Sequence, residues 1–257
     1  MKILRRVYSI YSLSLFALVF LLILPIFVIL IYTDKRHPLV FTLHRLWAWI
    51  FYAFSFIPIK KIYSQKLDLG RRYIFCSNHF SYLDIPALGI NRIKPIFVGK
   101  HSLGNIPLFG YMYKNIHITL NRDNLKSRYN AMEKCAVELD AGHNLVIFPE
   151  GGILSKRPPE MARFKDGAFR LAIEKQVPIV PVTIPYNWIL LPDDGSLLLK
   201  RHENMVIFHD PIETKDMTIS DMDRLKAQVY ATIDQELKKR NVEYAPERDL
   251  ETSLDLS

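Results

Sequence analysis

The chain has 257 residues, a formal net charge of +8, 49% hydrophobic residues and two cysteines. That is enough chain for one large domain plus an anchor, and too little for two full domains. Two cysteines exclude a disulfide framework, and basic residues scattered without a dense run favour a membrane surface over nucleic acid as the anionic partner.

Met1 to Arg6 is basic, and from Val7 to Thr33 no charged residue occurs. A helix of that length exceeds the ~30 Å apolar thickness of a bilayer. The run is too long for the core of a signal peptide and no small-residue cleavage site follows it, so it reads as a retained membrane helix, with Pro25 a candidate kink. Asp34 to Pro38 interrupts it. A second apolar stretch, Leu39 to Ile59, is rich in aromatics and fits a membrane interface or a weaker second span, with a buried core helix as the competing reading. Lys60 and Lys61 follow. The positive-inside rule places both basic ends in the cytoplasm. The expectation is a hairpin or interface-embedded anchor over residues 1–59 in the inner, cytoplasmic membrane. A domain over 60–240 faces the cytoplasm, and a polar tail occupies 241–257.

From Lys60 onward strand-like runs alternate with helical patterns. Strands are predicted at Tyr73–Ser77, Pro95–Val98, Ile116–Leu120, Leu145–Phe148, Ile179–Ile184 and Met205–His209, and helices at Asp84–Asn91, Pro107–Lys114, Asn124–Ala141, Lys165–Lys175 and Ser220–Lys239. Continuous apolar strands separated by helices define an α/β class with a mostly parallel sheet covered on both faces. Cys76 falls in a strand and Cys135 in a helix, as small core residues of a protein facing a reducing compartment.

The chemistry concentrates where the first of these strands ends, in Asn78-His79-Phe80-Ser81-Tyr82-Leu83-Asp84. Histidine is suited to take a proton near neutral pH. A carboxylate holding its other nitrogen fixes the tautomer and stabilises the imidazolium. If the turn curls back into a helix, Asp84 can reach His79; the competing reading is a helix cap beside an ordinary turn histidine. After Leu145–Phe148 comes Pro149-Glu150-Gly151-Gly152, where paired glycines permit a sharp turn and backbone amides can face an anion or an oxyanion. Glu150 either braces that turn by accepting backbone hydrogen bonds or binds an acceptor. No Gly-x-Ser-x-Gly or His-Glu-x-x-His is present, so neither a serine hydrolase nor a zinc hydrolase is indicated.

Asn78-His79-x-x-x-x-Asp84 resembles the first motif of the glycerophospholipid acyltransferases, the family of lysophosphatidic acid acyltransferase. Phe148-Pro149-Glu150-Gly151 resembles the third motif and Val177-Pro178-Ile179-Val180-Pro181-Val182 the fourth, in family order, and the likeness runs from about Lys60 to Pro211. The resemblance implies a glycerol-3-phosphate acyltransferase-like fold. It also implies O-acyl transfer from acyl-CoA or acyl carrier protein to the hydroxyl of a membrane lysolipid, by default 1-acylglycerol-3-phosphate, with no metal, no cofactor and no nucleic-acid partner. His79 and Asp84 become the catalytic pair. Asn78, Lys100, Arg122, Glu150, Gly151, Gly152 and Lys165 become the substrate-binding candidates. Arg122 matches loosely the arginine ending the second motif, Lys100 a common family lysine, and Lys165 the lysine of a lysine-glycine helix start; solvated surface residues are the competing readings of all three.

One position departs. The family commonly continues Glu-Gly-Thr-Arg-Ser, and its arginine is taken to meet the acceptor phosphate. Here Ile153 stands at that position and cannot pair with a phosphate. Either Arg157 or Arg163 of the following loop takes the arginine's place, or the acceptor is not a phosphate monoester, and a lyso-amino-acid lipid is then the second candidate acceptor. A non-catalytic lipid-binding protein, with no need of His79, is the reading from a different class.

Overall fold

The computed structural model describes residues 2–68 and 70–242. Helix α1 runs Lys2–Asp34 and contains Pro25. Helix α2 runs Pro38–Phe54 and starts with proline at its first turn, where the missing amide costs nothing, while the His37 ring accepts from the Leu39 amide. Pro58 follows, and the chain enters strand β1, Ile59–Tyr63. The second apolar stretch thus divides into a helix and the start of a strand. β1 was not foreseen because Lys60 and Lys61 hide it; it is an exposed edge strand, the place where lysines are tolerated.

The remaining elements are β2 Ile74–Ser77, α3 Asp84–Gly89, β3 Pro95–Lys100, α4 Phe109–Ile116, β4 Ile118–Leu120, α5 Leu125–Asp140, β5 Asn144–Ile147, α6 Gly167–Lys175, β6 Ile179–Thr183, α7 Asn187–Leu190, β7 Asn204–Phe208 and α8 Met222–Arg240, with a 3-10 turn at Ile219–Asp221 before α8 and a longer 3-10 helix at His101–Asn105 between β3 and α4. They build a seven-stranded sheet in the order β1-β7-β6-β2-β5-β3-β4. β6, β2, β5, β3 and β4 are parallel; β7 pairs antiparallel with β6 and parallel with β1. The mostly parallel α/β sheet expected from the sequence is present.

Strand alternation splits the core into two layers. Ile74, Cys76, Leu145 and Ile179 face α5, α6 and α8. Tyr73, Phe75, Val146 and Val180 face the other way, onto α3 and onto Ala48, Phe51 and Tyr52 of α2. Helix α2 is therefore part of the central core, and a boundary at residue 59 cuts through packed side chains. A third cluster joins α1, α2 and α4 through Phe20, Phe27, Trp47 and Met112. Cys76 and Cys135 are free and buried. Of the expected tail, Asn241 is buried and its side-chain Oδ1 accepts from the Trp188 indole, and residues 243–257 lie outside the described chain.

Candidate active site

The parallel strands β2, β5, β3, β4 and β6 end at one edge of the sheet, where α/β folds carry their ligand clefts. His79 follows β2, Glu150 follows β5, Lys100 ends β3 and Arg122 follows β4. The topology brings to one edge residues that the sequence scatters.

His79 and Asp84 meet. The His79 Nδ1 to Asp84 Oδ2 distance is 2.9 Å. The same Oδ2 accepts the amides of Phe80 at 2.8 Å and Ser81 at 3.0 Å, and Oδ1 accepts from the Asn187 side-chain amide at 2.7 Å. Asp84 is fully buried. Three donors converge on Oδ2 and one on Oδ1, which satisfies this carboxylate away from water. Nδ1 must then donate, leaving the Nε2 lone pair as the basic site. The residue is 8% exposed, and its ring stacks on Phe148 at 3.9 Å between centroids. It is held on one side by an aromatic face and on the other by a carboxylate, with one nitrogen left to work.

The backbone around it is equally fixed. Glu150 accepts the His79 amide at 2.7 Å on one oxygen and the Ala162 amide at 2.8 Å on the other. Burial pushes its pKa up to about 7, against the pull of those two amides, and the nearby Asp84 charge raises it further. The Asn78 side chain clamps Ile184, donating to its carbonyl at 2.9 Å and accepting its amide at 2.8 Å. Both side chains are fully buried. Their polar atoms are spent on backbone, which for Glu150 is the bracing alternative left open by the sequence.

Gly151 adopts φ +81°, and its amide is taken by the Phe148 carbonyl at 2.9 Å. The Gly152 amide has no protein partner among the described residues. A Cβ on Gly152 would lie 2.6 Å from Arg122 Nη1, and one on Gly151 2.9 Å from Lys165 Cε. The glycine pair thus lets two cations close on the turn. Arg122 is half-buried and its guanidinium forms no hydrogen bond or ion pair with the described residues, an arrangement that suits an incoming anion. Lys165 and Lys100 are exposed; Lys100 shares the sheet edge as the last residue of β3. Asn187 and Phe148 were not foreseen as parts of the His–Asp unit. Asn187 is 103 residues from Asp84, and no spacing rule reaches that far.

An apolar cavity of about 470 Å³ borders the site. Residues of α1, α2, α3, α4 and the segment 103–109 line it, together with Tyr82 and Leu83 of the His79 turn.

A family model described as Acyltransferase matches residues 58–185. The chain is 30% identical over 184 residues to the 1-acyl-sn-glycerol-3-phosphate acyltransferase of Haemophilus influenzae, covering 66% of this chain and 73% of that one. It is 28% identical over 243 residues to a Chlamydomonas reinhardtii 1-acyl-sn-glycerol-3-phosphate acyltransferase, covering 90% and 72%. It spans about half, 53%, of a chloroplastic Brassica napus relative of the same name. The crystal structure of PlsC, the 1-acyl-sn-glycerophosphate acyltransferase of Thermotoga maritima, superposes with a TM-score of 0.76 over 92% of this chain and 98% of the other at 18% identity, a likeness of fold. Fold and motifs together define an acyltransferase. The chain belongs to the acyltransferase family that includes the 1-acyl-sn-glycerol-3-phosphate acyltransferases of phospholipid synthesis.

Proposed function

We propose that this protein transfers a fatty acyl group from an acyl thioester, carried by coenzyme A or acyl carrier protein, to the hydroxyl of 1-acylglycerol-3-phosphate. The observation that carries the reading is the His79–Asp84 bond, which fixes one ring nitrogen as donor and leaves Nε2 basic. Nε2 removes the proton from the acceptor hydroxyl. The alkoxide oxygen attacks the thioester carbonyl, forming a C–O bond and a tetrahedral oxyanion. The unpartnered Gly152 amide is the donor in this turn free to meet that oxyanion, since the Gly151 amide is already bonded. The C–S bond then breaks, and protonated Nε2 returns its proton to the thiolate, releasing an ester and a free thiol.

Arg122 and Lys165, gathered at the glycine turn, are assigned to the acceptor's phosphate, and Lys100 to the acidic surface of the donor carrier. Asn78 and Glu150 act as positioning residues. The cavity beside Leu83 takes an acyl chain. A lyso-amino-acid lipid, acylated on the hydroxyl of its fatty chain, remains a second acceptor because Ile153 removes one arginine from the anion site.

The amino-terminal helices belong to the same reading. A 33-residue helix is about 50 Å long. Near its start Arg5 donates to the Leu198 carbonyl at 2.6 Å, and beyond its end Arg36 pairs with Glu138 and donates to the Ile116 carbonyl at 2.6 Å. Both ends are fastened to the α/β unit. Such a helix lies along one membrane face, embedded by its apolar outer side, with its amino terminus and the catalytic domain both cytoplasmic.

The test is an acceptor panel. Purified enzyme in vesicles is given labelled acyl thioester with 1-acylglycerol-3-phosphate, an uncharged lysolipid and a lyso-amino-acid lipid. Ester formation on the phosphate acceptor supports the proposal. Exclusive use of the amino-acid lipid transfers it to the second reading, and acylation of none overturns both.

A further inference from the structure

The segment joining β3 to α4 carries a feature that the acyl-transfer reading does not use. At Pro107-Leu108-Phe109 the Phe109 amide donates to the Pro107 carbonyl at 2.6 Å, and Leu108 sits at φ +61°, ψ −53°. This is the strained, positive-φ form of the γ-turn, which a branched residue adopts only when its surroundings impose it. The surroundings are identifiable. A Cβ on Gly110 would lie 2.2 Å from the Gly104 carbonyl oxygen, so the 3-10 helix and the start of α4 are pressed together backbone to backbone. The strain serves to aim a hydrophobic side chain outward: Leu108 is 55% exposed and Ile106 46%.

The same two residues also line the cavity, and so do Leu13 and Leu21 of α1 and Tyr82 of the His79 turn, all of them exposed. The mouth of the cavity is therefore rimmed by apolar side chains. The segment is packed against α1: Phe109 meets Phe20 at 5.8 Å between ring centroids, and Tyr111 hydrogen-bonds to Tyr32 through the side chains. Exposed Lys100, His101 and Lys114 flank the segment. An apolar tip with a basic border matches an anionic bilayer, whose headgroups meet the cations and whose chains meet the tip.

We propose that the Ile106–Leu108 tip inserts into the membrane beside α1, and that the two form a lateral portal through which a lipid chain passes from the bilayer into the cavity without crossing water. The proposal rests on the acyl-transfer reading for the identity of the chain, and its insertion step is testable without turnover.

Leu108→Cys carries an environment-sensitive nitrobenzoxadiazole label, with Ile106→Cys as a second position should the strained site not accept substitution. Cys76 and Cys135 are buried, so the wild-type chain serves as the labelling blank. Vesicles of phosphatidylcholine and phosphatidylglycerol, with and without chain-nitroxide lipid, are added. The expected result is a blue-shifted emission quenched by the nitroxide at either tip position and unchanged for a label at Lys134→Cys on α5. A tip label that stays unquenched in water overturns the proposal, whatever the enzyme's activity. Tyr111 lies on the patch and does not line the cavity. Tyr111→Glu is expected to raise the KM for vesicle-embedded acceptor about tenfold while a short-chain acceptor dissolved in water is turned over as before. Equal loss on both substrates overturns the portal.

Discussion

Asp84 is held by four donors, and three of them come from its own turn. The fourth, Asn187, arrives from α7 and fixes the rotation of the carboxylate. Asn187→Ala removes a hydrogen bond to a buried charge, worth about 1.5–3 kcal/mol. The expected outcome is a fall in kcat of roughly 10- to 100-fold with KM little changed, measured by steady-state kinetics. Glu150 gives a pH signature. Its folded pKa of about 7 lies above the ordinary 4.5, so the stability it confers is complete below about pH 4.5 and is lost as pH rises through 7. Glu150→Gln cannot titrate. The stability of the wild type relative to this variant, from denaturant unfolding in detergent, should therefore decline by up to ~3 kcal/mol between about pH 4.5 and about pH 8. A difference independent of pH contradicts the assignment. The sequence made His79 and Asp84 legible because both belong to one turn, and a turn is a local object. Phe148 and Asn187 were illegible as partners because sheet order and register, not spacing, bring them in.

Elements with strong apolar runs were readable, and the strands β2, β3, β5, β6 and β7 fall where periodicity puts them. β1 was lost because an edge strand is polar by design, and α7 because a single turn has no period to detect. The antiparallel pairing of β7 also leaves no mark in its uniformly buried sequence, apolar after Asn204. At the junction of the 3-10 helix with α4, two glycines do different work. Gly110→Ala would drive a methyl into the rigid Gly104 carbonyl, and should cost about 1–3 kcal/mol of unfolding free energy. Gly104→Ala meets only the flexible Lys114 side chain and should cost less. Thermal or denaturant melts of the two variants, compared under one condition, check the order.

At the scale of the molecule, the amino-terminal helices are fastened to the catalytic unit from end to end. Arg5, Tyr8 and Ser9 tie the start of α1 to the loop before β7 and to the end of α2, and Arg36 ties its exit to α5. Hydropathy announces an apolar helix and says nothing of where its ends dock, which is why the sequence left both a span and an interface helix open. Reporter fusions to the two termini should map to the same side of the membrane; opposite sides would contradict a helix lying along one face. On the proposed reading, a basic protein, net +8, on an anionic leaflet has its sheet edge and its apolar cavity mouth near the lipid.

The most direct measurement is the rate of ester formation by His79→Ala, with labelled acyl thioester and 1-acylglycerol-3-phosphate in the same vesicles and folding confirmed by the melt. A base held for proton transfer predicts a loss of about 10²- to 10⁴-fold. Turnover within a few-fold of the wild type would contradict the account.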